Sequence, residues 1–169
     1  LKASVLEDHL DCEQGDLPEE IFRKDLLCPR IFLEELTPYR SMIREFFEEE
    51  TKHSFAEQPE RILDSLKKNI TFHAEEEYDT IMATPVGVLT MKQGSPLAQK
   101  ILFVAICRSL NVAARLNPVT LEPEYYHNGA FHSVETEAAV LKDETESAVL
   151  TLNAEDGSTW KYYQTWTIG

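Results

Sequence analysis

Acidic residues are missing from the middle of this chain. Residues 81–121 contain no Asp or Glu but four bases, Lys92, Lys100, Arg108 and Arg115. Bases are scarce everywhere else: the 169 residues hold 16 Lys and Arg against 30 Asp and Glu, for a net charge of −14. That imbalance repels phosphate, which excludes nucleic acid and anionic membrane surfaces as partners. Long apolar runs are also absent. No stretch approaches the ~20 residues that a membrane-spanning helix requires, so no membrane insertion is expected. The three cysteines, Cys12, Cys28 and Cys107, are odd in number and form no CxxC pair, which supports neither a disulfide framework nor a zinc site. The histidines (His9, His53, His73, His127 and His132) are scattered, and His127 and His132 fit neither helical nor strand same-face spacing. No metal and no cofactor is therefore expected. Internal repeats and low-complexity segments are lacking too.

What is present suffices for a folded domain. With 43% hydrophobic and 27% charged residues the chain can bury a core. It begins at Leu1 and ends at Gly169 in an apolar, strand-like run, the pattern of a piece of a longer protein. Residues 1–15 are polar and aperiodic and read as a linker or the tail of a preceding domain. Asp16 and Pro18 open a short helix. Pro29 starts a helical stretch that Thr37–Pro38 interrupts, starting a third helix, with Phe32, Leu36, Tyr39, Ile43 and Phe46 on one apolar face of the pair. Glu48–Glu50 reads as a solvated helix end. Pro59 opens another helix whose face is Ile62, Leu63, Leu66 and Ile70. Thr84–Pro85–Val86–Gly87 reads as a loop.

Gly94–Ser95–Pro96 is a helix start, with Ser95 as cap and Pro96 at the first helical position. The helix from Leu97 to about Leu110 is apolar nearly all round, which marks it as buried. Asn111 ends it in a left-handed conformation. Strands follow. Val112–Thr120 is a candidate core strand. Glu124–His127 and Ala130–Val134 flank Asn128–Gly129, a strong hairpin signal. Ala148–Leu152 and Trp160–Ile168 flank Asp156–Gly157 as a second hairpin-like unit. Helices first and antiparallel strands after give an α+β order.

Two arginines seven residues apart carry a resemblance. Gly94–Ser95–Pro96, the run Ile101–Arg108, and then Ser109–Leu110–Asn111–Val112–Ala113–Ala114–Arg115 resemble the core motif of the transglutaminase-like superfamily. In that motif Gly-x-Cys precedes a buried helix and Arg-Ala-Leu-Gly-Ile-Pro-Ala-Arg follows it. Leu116, Pro118–Thr120 and Glu124–Gly129 are similar to a subset found in large multidomain proteins of Bacteroides-type bacteria, as are Leu27–Arg30 with Tyr39–Arg40. The resemblance covers roughly 18–136. It implies a papain-like α+β core of N-terminal helices packed on an antiparallel sheet, over residues 16–136, followed by a truncated β-rich extension over 137–169. It also implies a periplasmic, cell-envelope or secreted location.

The family's chemistry needs a Cys at the N-terminus of the buried helix, where the dipole favours the thiolate, a His base on a following strand, and an Asp that orients it. Carried over by position, the nucleophile falls on Pro96, the base near Leu121 and the acid near Glu135. Proline offers no nucleophile and leucine no base. The resemblance therefore implies a catalytically degenerate domain, a binding or scaffold module whose cleft takes a peptide or carbohydrate and which sits beside neighbouring domains of the same chain. The alternative is a hydrolase or acyltransferase that uses a non-standard nucleophile such as Ser95, with His127 or His132 as base.

Other side chains allow two readings each. Cys107 is a displaced nucleophile or a small core residue. Arg108 and Arg115 contact an anion, or make structural bonds to carbonyls and carboxylates. Tyr125, Tyr126, Phe131, Trp160, Tyr162, Tyr163 and Trp166 form an aromatic platform or alternate between core and surface on strands. His73 with Glu75–Glu77 is an acid–base or metal cluster, or a solvated run. The acid-free window is the part of the chain in which burying charge would be costly.

Overall fold

The computed structural model describes residues 2–73 and 82–136. The second hairpin-like unit, Glu75–Glu77, Trp160, Tyr162, Tyr163 and Trp166 lie outside the described residues. At the centre is the helix α7, Pro96–Ser109, buried from Ala98 to Ser109 but for Lys100. Six other helices come before it: α1 Ala3–Leu10, α2 Glu19–Ile21, α3 Arg40–Phe46, α4 Glu49–Glu57, α5 Glu60–Asn69 and α6 Pro85–Met91. A π-helical segment, Phe22–Leu27, continues α2. Behind α7 stands an antiparallel sheet in the order β3 (Ala114–Leu116), β4 (Pro123–His127), β5 (Ala130–Ser133). This is an α+β fold, as the sequence order predicts. Among the described residues no helix is long and apolar enough to cross a membrane.

The sequence explains why α7 is central. Ser95 Oγ accepts from the backbone N–H of Ala98 at 3.1 Å, and Pro96 follows at the first helical position. Ile101, Leu102, Phe103, Val104, Ala105 and Ile106 are at most 1% exposed, so the helix is covered all round by α3, α5, α6 and the sheet. Asn111 closes it at φ 61°. The chain returns through β3, and β4 and β5 pair from Glu124↔Ser133 to His127↔Ala130 across Asn128–Gly129. Both turn residues have positive φ, 49° and 85°, the geometry that matches strand twist in a two-residue hairpin. The face of α5 is also as predicted, with Ile62, Leu63 and Leu66 buried.

Several local expectations are corrected. Residues 1–15 are not irregular throughout: Ala3–Leu10 forms α1, which buries Val5 and His9 against α3. The stretch opened by Pro29 is not helical before Thr37–Pro38, whereas the helix expected after that pair is α3. Both Glu34 carboxylate oxygens accept from backbone, Oε1 from Ile31 N–H at 2.9 Å and Oε2 from Phe32 N–H at 2.8 Å, and this local bonding replaces a helical turn. Glu48–Glu50 is a solvated helix end, as expected, and is the N-terminal end of α4, where acids suit the positive end of the dipole. Thr84–Gly87 is not a loop. Thr84 caps α6 by accepting from Gly87 N–H at 3.2 Å, and a Cβ at Gly87 would lie 3.0 Å from that same hydroxyl. The core strand expected over Val112–Thr120 shrinks to Ala114–Leu116, because Asn117 Oδ1 accepts from Val119 and Thr120 N–H and turns the chain. A short parallel pair, β1 (Thr71–Phe72) with β2 (Gln93–Gly94), leads into Ser95 and was not foreseen.

Candidate functional site

The positions that the resemblance assigns to the triad lie at the head of α7 and in the segments before β4 and after β5. Pro96 opens the helix, half-buried, with Ser95 before it. Leu121 ends the Asn117 turn at φ 57°, an unusual conformation for a branched side chain, held by its N–H donating to Asn117 O at 2.9 Å. Glu135 is exposed just beyond β5. Residues adjoining Leu121 and Glu135 meet a side chain one turn beyond Pro96. Lys100, one turn into α7, donates to Glu122 Oε1 at 2.7 Å, and Thr136 Oγ1 donates to Glu122 Oε2 at 3.0 Å. Val134 N–H also donates to Pro123 O at 2.9 Å. The Lys100 and Glu122 side chains are only 13% and 16% exposed, so this ion pair is largely withdrawn from water. Its residues cross-link α7, the start of β4 and the segment after β5.

The serine and histidine candidates are not brought together. Ser95 Oγ is engaged as the cap of α7. His127 lies at the opposite end of that helix, where it lines a cavity of about 510 Å³ with Asn111 and Glu13–Leu17. A helix of 14 residues puts its ends about 21 Å apart. His132 stacks on Tyr125 with ring centres 5.6 Å apart, and its Nε2 lies 3.1 Å from His127 O. Among the described residues, no hydrogen bond joins Ser95 to a histidine. The loss of the cap in Ser95→Ala is expected to cost about 1 kcal/mol of stability, read from the midpoint of urea unfolding. Ser95→Thr, which keeps an acceptor oxygen, recovers most of it.

The remaining candidates have structural environments. Cys107 is buried, and desolvation pushes its thiol far above the ordinary range, so it is a protonated core residue. Arg108, 2% exposed, donates to four carbonyls: Nε to Ala114 at 2.8 Å, one terminal nitrogen to Cys28 at 2.8 Å and Arg30 at 2.9 Å, the other to Lys24 at 3.4 Å. Arg115 lies on the outer face of the sheet. It donates to Glu124 at 3.0 Å, and its guanidinium carbon is 3.6 Å from the centre of the Phe131 ring. Tyr126 meets Phe131 edge-on on the same face. Tyr125 points the other way and donates its hydroxyl to Glu60; burial first, and then that carboxylate, raise its pKa to about 12. His73 N–H donates to Gly94 O at 2.9 Å. Among the described residues, no group of three or more His, Cys, Asp or Glu side chains is placed to hold a metal ion.

Sequence reasoning missed Lys100, Glu122 and Thr136. Glu122 and Thr136 each adjoin a position that the motif singles out, which is the signal that was available. Nothing in the spacing marks Lys100.

One buried helix, capped by Ser-Pro and backed by a three-stranded antiparallel sheet, with the motif arginine folded into its C-terminal turn, defines an α+β domain of the papain-like kind. The sequence model of the transglutaminase-like superfamily matches residues 40–164, and the chain belongs to that superfamily. The match begins at the start of α3 and runs past residue 136. No curated protein matches the chain, and no solved structure does.

Proposed function

We propose that this chain is a catalytically degenerate transglutaminase-like domain that acts as a binding or scaffold module within a larger protein. The observation that carries the reading is Pro96, a residue with no nucleophile, at the head of the buried helix where the superfamily places its cysteine. The Lys100–Glu122–Thr136 cluster supports it, because the residues adjoining Leu121 and Glu135 are engaged with each other and with a lysine one turn beyond Pro96. Cys107 supports it as well, since a buried protonated thiol three turns into the helix is a poor nucleophile. The module takes a peptide or carbohydrate, works beside neighbouring domains of its own chain, and belongs to a cell-envelope, periplasmic or secreted protein.

The test is acyl transfer. The purified chain is incubated with a glutamine-bearing peptide and a fluorescent primary amine, and peptide hydrolysis is followed in parallel. The expected result is no turnover above buffer, before or after thiol alkylation. Turnover abolished by alkylation would overturn the proposal. Turnover that survives alkylation and disappears in Ser95→Ala would instead establish a serine-dependent enzyme.

A further inference from the structure

α1 is fastened to the rest of the domain largely through polar groups, one of which is a neutral histidine. Its last turn supplies two consecutive side chains to the start of α3. Asp8 caps that helix from 32 residues away, with Oδ2 accepting from Arg40 N–H at 2.7 Å and Oδ1 from Ser41 N–H at 2.9 Å. His9, 2% exposed, accepts from Arg40 Nε at 2.9 Å through Nδ1. Its Nε2 faces Thr37 O at 3.5 Å, and its ring meets Tyr39 edge-on at 4.5 Å. Nδ1 can accept only when it carries no proton, so the closed geometry fixes the ring as neutral with its hydrogen on Nε2.

The rest of the attachment is thin. Val5 is the one apolar side chain of α1 that is buried, whereas Leu6 and Leu10 face water at 48% and 58% exposure. Asp11 pairs with Arg44 at 2.6 Å and Lys2 with Glu35 at 3.6 Å, both near the surface. The charges facing His9 are two buried cations, Arg40 of α3 and Arg108 of α7, against Asp8 alone. Tyr39, unionised in its buried site, adds no charge.

We propose that His9 makes α1 an acid-released latch: protonation of its ring breaks the Arg40 bond and sets cation against cation in a buried site, so the helix detaches while the α7 core stays folded. The step is a proton equilibrium. Nδ1 takes a proton from solvent, the N–H···N bond to Arg40 is lost, and the imidazolium is solvated outside the core. The expected window follows from burial and Arg40, which lower the pKa of His9 to about 4 in the closed form, against 6.5 when solvated. The attachment is therefore full above pH 6.5 and weakens as pH falls toward 4. Between pH 7.5 and pH 5 the open fraction rises about 30-fold.

Hydrogen exchange of the full chain at pH 7.5 and pH 5, corrected for intrinsic rates, tests this. Amides of residues 3–10 are expected to lose about 30-fold in protection while those of α7 do not change. In His9→Asn, whose short amide accepts from Arg40 but does not titrate, the pH dependence in α1 disappears. Equal pH dependence in the variant and the parent would overturn the latch. A direct reading needs no variant: the His9 ring proton, followed by NMR in the parent chain, titrates near pH 4. A midpoint near 6.5 would overturn the proposal even if the variant fails to fold.

Discussion

Arg108→Met lowers the free energy of unfolding by about 4 kcal/mol, measured by urea denaturation at pH 7.5 with an unchanged m-value. Methionine has nearly the right length and keeps the apolar stem packed, so the loss isolates the guanidinium. Four carbonyls, those of Ala114, Cys28, Arg30 and Lys24, then face a buried space with no donor. Each unsatisfied acceptor costs roughly 1–3 kcal/mol, and relaxation of the Lys24–Arg30 segment returns part of the sum. Arg108→Lys restores only a minor share, because an ammonium is a point donor and cannot reach carbonyls spread around a planar fork. A loss below about 1 kcal/mol in Arg108→Met would mean that water satisfies those carbonyls and that the arginine is dispensable to the fold.

Phe103→Ala is expected to cost 3–5 kcal/mol, through a different cause. The ring is fully buried in the middle of α7, where neighbours from several elements surround it. Removing it forfeits the transfer free energy of the aromatic side chain and leaves a cavity that the backbone of a helix covered on every side cannot collapse to fill. Phe103→Leu, which retains most of the volume, should lose less than half as much. The pair is read from thermal and urea unfolding. Equal losses for Ala and Leu would show that the site is already loosely packed.

The central part of the fold was legible in the sequence, and the periphery was not. Ser95–Pro96, the apolar run to Leu110 and Asn111 mark α7 by local chemistry alone, and Asn128–Gly129 marks its hairpin by backbone geometry. The Thr84–Pro85 pair carries the same cap-then-proline signal as Ser95–Pro96, yet Gly87 two residues later masks it. α4 is short and mostly polar, and α1 is a short helix with one buried apolar side chain, so periodicity does not reveal them. What holds α1 is tertiary, Asp8 and His9 reaching α3. The irregular stretch after Cys28 depends on Glu34 bonding its own backbone, a choice that propensity does not settle.

The candidate site divides in the same way. The resemblance places Pro96, Leu121 and Glu135 by counting along a motif. The side chains that now interact there, Lys100, Glu122 and Thr136, are distant in sequence, and only the folded chain brings them together. Arg108 and Arg115, seven apart in one motif, have unlike surroundings: one is enclosed by carbonyls, the other is paired with Glu124 on the sheet's outer face.

The bonds of Arg108 to Lys24, Cys28 and Arg30 span 78 to 84 residues of chain. By contrast α7, β3, β4 and β5 are contiguous and can assemble through short loops. Closing a long loop is entropically expensive, so contacts of this length form late on the way to the native state. The arginine therefore acts chiefly on how long the folded domain lasts once made, and little on how quickly it forms. Persistence of the folded domain is the property such a residue serves.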